Sequence, residues 1–299
     1  MSHQTSADHD YLTTAEAADY LRLKPRKVYD LVRQGQIPCT RATGKLLFPR
    51  QSLDLWLMSH LEGDMPGARA VPAVLAGSHD PLLEWALRES GADLATLCHG
   101  SGDGVRRLLA GEAMVAGLHL VDPTSGRYNR PEALGLAGMR DLVVVRWARR
   151  RQGLLLAPGN PLGLGSIKDL ARPGVRLAHR QAGAGAQRLL AWLLARVGVS
   201  AEALAFTVHP SRSEDDLALA IRQGEADAGL GVEAAARRQG LAFVALHEEA
   251  FDLALRRRSY FEPPLQRLLA FALTTRFRAQ AEAMGGYDVS ELGEVVYNA

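Results

Sequence analysis

From residue 73 onward, short apolar runs alternate with longer stretches in which apolar residues recur every three or four positions. "AVPAVLAG" precedes "SHDPLLEWALRES", and "DLATLCHG" precedes "SGDGVRRLLAG". Further on, "GVRLAHRQ" precedes "AGAGAQRLLAWLLARVG", and "ADAGLG" precedes "VEAAARRQG". The short runs have the length and composition of strands, and the three-to-four spacing is that of amphipathic helices. In the third helix Leu189, Leu193 and Val197 fall on one stripe. Repeated strand-then-helix units predict an α/β body. Small or hydroxyl residues occupy each strand-to-helix turn.

Ahead of this region the pattern is helical and interrupted. In "YLTTAEAADYLRLKPRKVYDLVRQGQIPCTRATGKLLFPRQSLDLWLMSHL" (residues 11–61), Thr13 or Thr14 can cap a helix carrying Leu12, Ala17, Ala18 and Leu21 on its apolar face. Pro25 opens a second helix, running to about Gln34, with Val28, Leu31 and Val32 inward and Gly35 closing it. "IPCTRA" and "KLLF" read as two short strands joined by "TG", and "PRQSLDLWL" starts a third helix. The expected layout is a flexible tail over 1–10, a head over 11–61, a Gly/Pro-rich linker over 62–72 and the body over 73–299.

Charge sharpens the reading of the head. The whole chain of 299 residues is only +2. Residues 22–50, however, hold eight Lys and Arg against Asp30, a net +7 that leaves −5 elsewhere. Such a head is expected to meet a polyanion. The second helix leaves Lys24, Arg26, Lys27, Tyr29 and Arg33 outward, and Arg41 and Lys45 sit near the tip of the strand pair. Helix, turn, basic helix and wing resemble the small winged helix-turn-helix domains of excisionases and of the MerR superfamily. That resemblance implies double-stranded operator DNA as partner. Arg26, Lys27 and Tyr29 then lie nearest base edges or phosphates, while Arg33, Arg41, Lys45 and Arg50 hold the backbone.

Within the body, glycine-bearing helix starts present free N–H groups and the positive end of the helix dipole, which suits an anion. "HGSGDG" places glycines at 100, 102 and 104, not in dinucleotide-loop spacing, and no G-K-[ST] occurs. Asp122 does close the following strand at about the distance a dinucleotide fold wants, so that one test leaves a nucleotide open. No H-E-x-x-H, Cys/His cluster or G-x-S-x-G elbow appears, so neither a metal nor a catalytic group is expected. "WARRR" (147–151) and "LRRRS" (255–259) read as solvated surface. Cys39 and Cys98 are the only cysteines, and the polar N-terminus carries no secretory signal. A cytoplasmic protein with no membrane association is therefore expected.

The stretches "GSHDPLLEWAL", "GLHLVDPTSGRYN", "RRQGLLLAPGNPLGL", "HRQAGAGAQRLL", "GEADAGLGVEAAAR" and "GGYD" resemble type II periplasmic binding proteins. More narrowly, they resemble the binding-protein-like domain fused to molybdopterin-biosynthesis proteins and to some helix-turn-helix regulators. The turns are also similar to those of molybdate and tungstate carriers. The resemblance implies two lobes, lobe I at about 73–155 and 251–299 and lobe II at about 156–250. It further implies an oxyanion, molybdate or tungstate foremost, held by Ser78, His79, Ser101, Gly102, Ala184 and Gly185, with no other cofactor required. Asp80 and Arg180 keep an organic carboxylate or amino acid open as effector. A ligand-responsive regulator, acting as a homodimer and not as an enzyme, is the leading expectation. An accessory factor of molybdenum-cofactor biosynthesis is the alternative.

Overall fold

The computed structural model describes residues 10–42, 44–59 and 71–299. They fall into two compact units, one within Met1–Ala70 and the other Val71–Ala299. Residues 1–9 of the expected tail, most of the linker, residues 60–61 of the head and Thr43 at the wing tip lie outside the described residues.

The head contains β1 (Tyr11–Thr13), α1 (Thr14–Tyr20), α2 (Pro25–Arg33), β2 (Leu47–Pro49) and α3 (Arg50–Ser59). Of the two candidate caps, Thr13 does the work. Its hydroxyl accepts from the Glu16 N–H, and the Glu16 carboxylate accepts from the Thr13 N–H at 2.8 Å. Leu12, Ala17, Ala18, Val28, Leu31, Ile37, Phe48 and Leu53 bury together as the core of this unit. Pro25 opens α2, and Gly35, at φ +66°, follows its end. The wing is slighter than expected. The first of its strands is reduced to a single bridge between Thr40 and Leu47, and β2 pairs mainly with β1. Pro38 explains this, because it has no N–H to give a ladder.

The body is built on β3 (Val74–Gly77), α4 (Pro81–Ser90), β4 (Ala95–Leu97), α5 (Ser101–Ala110), β5 (Val115–Leu118) and β6 (Leu142–Leu156). It continues with β7 (Arg176–Ala178), α6 (Gly185–Val197), β8 (Ala205–Phe206), α7 (Glu214–Arg222), β9 (Ala228–Val232), α8 (Glu233–Arg238) and β10 (Ala242–Arg256). It closes with α9 (Pro263–Ala272), α10 (Thr275–Met284), β11 (Tyr287–Asp288) and β12 (Val295–Asn298). The strand order is β4-β3-β5-β10-β6-β9-β7-β8, with β11 and β12 also on β6. Parallel pairs lie at both ends (β4-β3-β5 and β9-β7-β8), and two long antiparallel strands join them.

These long strands, β6 and β10, pair antiparallel from Ala242↔Leu156 to Arg256↔Leu142. One end of the pair joins β5 and the other joins β9. Each strand therefore belongs to both lobes, and the crossing is made within the strands. Residues 152–155, expected in lobe I, pair with β9 and belong to lobe II. The physical reason is that β6 runs across unbroken. Lobe I packs Leu75, Leu82, Trp147, Phe251 and Phe277 in one layer, and Leu108, Leu118, Leu136 and Val144 in a second. Lobe II packs Leu154, Leu177, Leu189 and Leu230 in one, and Leu155, Leu217 and Ile221 in the other. Among the described residues, no helix is long and apolar enough to cross a membrane.

Gly153 marks how tightly the long pair is packed. A Cβ there would meet the Val244 carbonyl oxygen at 2.1 Å and the Phe243 ring at 2.8 Å. Gly153→Ala is expected to lower stability by about 1–3 kcal/mol through overpacking. Thermal unfolding should register this as a fall of roughly 2–4 °C per kcal/mol.

Candidate functional site

In the head, α2 separates its faces cleanly. Val28 and Leu31 are buried, while Lys24, Arg26, Lys27, Tyr29 and Arg33 are exposed. Lys24 is the N-cap residue of this helix, and Arg33 pairs with Asp30 one turn back. Arg41 and Lys45 are exposed beside the Thr40–Leu47 bridge. Arg50 is half-buried, with its guanidinium 5.2 Å from the centre of the Tyr20 ring. The structure thus leaves one helix face of cations and a tyrosine, as a groove-binding helix requires.

In the body, α5 and α6 point their N-termini at one another from opposite lobes. Their N-cap residues, Gly100 and Ala184, give no side-chain cap, so first-turn N–H groups remain for another acceptor. The backbones already touch, since the Gly102 N–H donates to the Gly183 carbonyl at 3.3 Å. Glycine is required here. A Cβ on Gly100 would lie 3.1 Å from the Gly183 oxygen, and one on Gly185 would lie 2.6 Å from the His119 ring. Ser101 Oγ pairs with Ser78 Oγ at 2.7 Å and accepts from the His119 N–H at 3.2 Å; all three residues are buried. Two hydroxyls and two uncapped helix starts therefore converge at the lobe boundary.

A buried ionic network supports these jaws. Glu249, on β10, accepts from the Arg150 Nε at 2.9 Å, the Gln152 amide at 2.8 Å and the His119 Nδ1 at 2.9 Å. Arg150, on β6, reaches from Glu249 to Asp80 at 2.8 Å. Asp80 caps α4 through the Leu83 N–H at 2.7 Å and accepts from the Tyr287 hydroxyl at 2.8 Å. Burial by itself pushes the Glu249 carboxyl up. The Arg150 guanidinium first, and then His119, overturn that and hold it down at about 2.

The geometry therefore sorts the expected ligand residues. Ser78, Ser101, Gly102, Ala184 and Gly185 come together at the jaws. His79 stands aside, half-buried, with its Nε2 3.0 Å from a Glu84 carboxylate oxygen. Asp80 and Arg180 do not form the expected grip on an organic zwitterion. Asp80 is held by Leu83, Arg150 and Tyr287. Arg180 pairs with Glu214 and donates to the Ser211 and Arg212 carbonyls at 3.2 and 3.1 Å. Each is bound to protein groups of its own lobe or hinge, because a buried charge requires such partners. The "WARRR" run, expected at the solvated surface, is largely buried. Trp147 and Arg150 are among the most buried side chains, since the run is the middle of β6. Motif reading missed His119, Arg150, Gln152, Glu249 and Tyr287. His119 lies in "GLHLVDPTSGRYN" and Tyr287 in "GGYD", so both stretches contribute side chains to this buried network.

Residues 84–273 match the family described as PBP superfamily domain. The chain belongs to this family. Residues 11–60 match a family described as helix-turn-helix domain, so this PBP protein carries a helix-turn-helix head. It is 24% identical, over 95% of its own length and 97% of the relative's, to the uncharacterized protein YvgK of Bacillus subtilis. In structure it is similar to a candidate phosphate ABC transporter substrate-binding protein from Clostridium perfringens with bound phosphate. That match has a TM-score of 0.52 and 14% identity, covering 74% of this chain and 98% of the other. It is also similar to Corynebacterium glutamicum OxyR, with a TM-score of 0.50 and 14% identity over 91% of this chain and 89% of that one. These likenesses establish the fold, a two-lobed binding-protein body.

Glu249→Gln removes one of the two carboxylates that balance Arg150 and leaves Asp80 to balance it alone, and breaking a buried ion pair costs up to about 3–5 kcal/mol. The sign with pH follows from the lowered carboxyl. Its stabilising contribution is complete above the ordinary carboxylate range and is lost as pH falls toward about 2. Unfolding curves of the two proteins should differ most at neutral pH and converge as pH drops through that window.

Proposed function

We propose that this PBP-family protein is a DNA-binding regulator that responds to a small oxyanion held between α5 and α6, with molybdate or tungstate as effector. The observation that carries the reading is the pair of uncapped helix N-termini meeting at Gly102 and Gly183, beside the Ser78 and Ser101 hydroxyls. An oxyanion entering there takes over the Gly102 N–H from the Gly183 carbonyl and accepts from hydroxyls that now satisfy one another. Donors at a helix N-terminus favour negative charge without a counter-cation. Phosphate bound by the Clostridium perfringens protein of this fold makes a tetrahedral oxyanion the class to test. The organisation fits a sensor: the site binds and reports the anion, leaving it chemically unchanged.

The route from ligand to DNA runs through a difference in affinity between two arrangements of the lobes, for which β6 and β10 are the shared elements. A homodimer, each copy placing α2 in one half-site, is the assembly this reading requires.

Isothermal titration with molybdate, tungstate, sulfate and phosphate tests the effector. Molybdate or tungstate should bind, and Ser101→Ala should weaken binding about 10- to 100-fold, the usual worth of a hydrogen bond to a charged group. No heat with any of the four sinks the oxyanion reading. For the head, Arg26→Ala should weaken binding to operator fragments selected from genomic DNA by about 1–3 kcal/mol if it reads a base. If it contacts phosphate instead, the salt slope should fall by about one. An unchanged affinity and slope would remove Arg26 from the interface.

A further inference from the structure

Next to the long strands, and sharing no residue with the jaws, lies a cavity of about 580 Å³. Its wall includes Tyr128, Asn129, Arg146, Arg149, His247 and Asp252. Several of its polar atoms are buried and make no hydrogen bond: Tyr128 Oη, His247 Nε2, Arg146 Nε and Nη1, and Asp252 Oδ1. Arg146 lies 3.1 Å from Asp252 and 3.4 Å from Glu291, close enough for charge attraction but off the line of a hydrogen bond. Buried polar groups are paired nine times in ten or more. A concentration of orphans around one cavity therefore points to a missing partner.

The chemistry of the wall identifies that partner. Four arginines and three carboxylates line it, and Glu291 adds a fourth carboxylate hydrogen-bonded to Arg149, so the donors left open to an acid are the Arg146 Nε and Nη1 groups, with Arg149 beside them. Burial lowers the His247 imidazole and so favours its uncharged form, which offers one donor and one acceptor. The Tyr128 and His247 rings, both in the cavity wall, stack at 5.8 Å with 28° between their planes. Its volume lies within the roughly 300–1,000 Å³ of small-molecule pockets and far exceeds the space of a tetrahedral oxyanion. We propose that this cavity is a second ligand site, for a small organic acid. Its carboxylate sits on Arg146 and Arg149, and its hydroxyl or carbonyl groups pair with Tyr128 and His247.

The position gives the site leverage. The two register shifts of β10, between Ala245 and His247 and between Phe251 and Asp252, flank the cavity. Trp192 of α6, in lobe II, packs edge-on against His247 at 5.4 Å and donates to the Pro123 carbonyl of lobe I at 3.2 Å. A ligand against His247 therefore touches the contact by which α6 holds the opposite lobe.

The test uses the full-length protein with citrate, quinate, 4-hydroxybenzoate and 4-hydroxyphenylpyruvate, against sodium chloride of equal ionic strength. At least one acid should raise the unfolding temperature and change tryptophan fluorescence. Tyr128→Phe, which keeps the stack, and Arg149→Ala, at a half-exposed position, should each weaken that response about five- to tenfold. The Ser78→Ala/Ser101→Ala double variant should leave it unchanged, which separates this site from the oxyanion site whatever the tungstate titration returns. No response to any of the four acids means that water alone fills the cavity and overturns the proposal. So does a response that both cavity variants leave intact, or one that the jaw variant abolishes.

Discussion

The ion pair between Arg150 and Glu249 is the constraint on which the two-lobed body depends. Arg150 lies on β6 and Glu249 on β10, at the point where both strands pass from one lobe to the other. Both side chains are buried, and a buried charge is tolerated only when it is paired and hydrogen-bonded. Asp80, Gln152, His119 and Tyr287 complete the pairing, and each comes from a different segment. The network therefore ties the start of α4, the end of β5, the hinge and the C-terminal strand segment to one spot. Because removing Arg150 would leave both Asp80 and Glu249 without their guanidinium, the spot behaves as a unit.

That unit sets where the jaws stand. His119 donates its backbone N–H to Ser101 and its ring bonds to Glu249, so the serine at the start of α5 is indexed to the hinge. Gly185 packs on the same histidine with no room for a Cβ. In this arrangement the site satisfies itself. The hydroxyls pair with each other, and one N–H takes a carbonyl from the opposite lobe. A ligand must replace those bonds, so only the surplus of its interactions appears as affinity, and only a difference between lobe arrangements appears as a signal.

Much of the fold is legible in the sequence because strand-helix periodicity and capping are local. Thr13 with Glu16, Pro25, Gly35 and the glycine turns at 100 and 183 need only their neighbours to be read. The long strands are not local in this sense. Charged residues at the centres of β6 and β10, Arg149 to Arg151 and Glu248 to Glu249, hide two continuous strands. Arg149, Arg150 and Arg151 look like a solvated run until Glu249, Asp80, Glu291 and Glu233 arrive from distant segments to pair with them. The same blindness turned Asp80 and Arg180 into free ligand groups. Tertiary pairing decides whether a charged residue faces solvent, ligand or another side chain, and no spacing rule encodes it.

The two sites on the body differ in how they attract negative charge. At the jaws, two carboxylates, Asp80 and Glu249, surround a single guanidinium, so the neighbourhood holds no surplus of formal positive charge. What remains for an anion there is dipolar: helix N-termini, backbone N–H groups and serine hydroxyls. Such a site suits a compact oxyanion whose charge is spread over several oxygens, each taking one donor. Around the cavity four arginines meet the carboxylates of Glu132, Glu248, Asp252 and Glu291, and the groups lacking hydrogen bonds, Arg146 Nε and Nη1 among them, are spread across a larger wall. Guanidinium groups bind planar carboxylates by two parallel bonds, and aromatic faces add area that a tetrahedral ion cannot use. The division follows from strand geometry. β6 and β10 bring Arg150 and Glu249 into the network beside the jaws, while Arg146, Arg149, His247 and Asp252 of the same strands line the cavity.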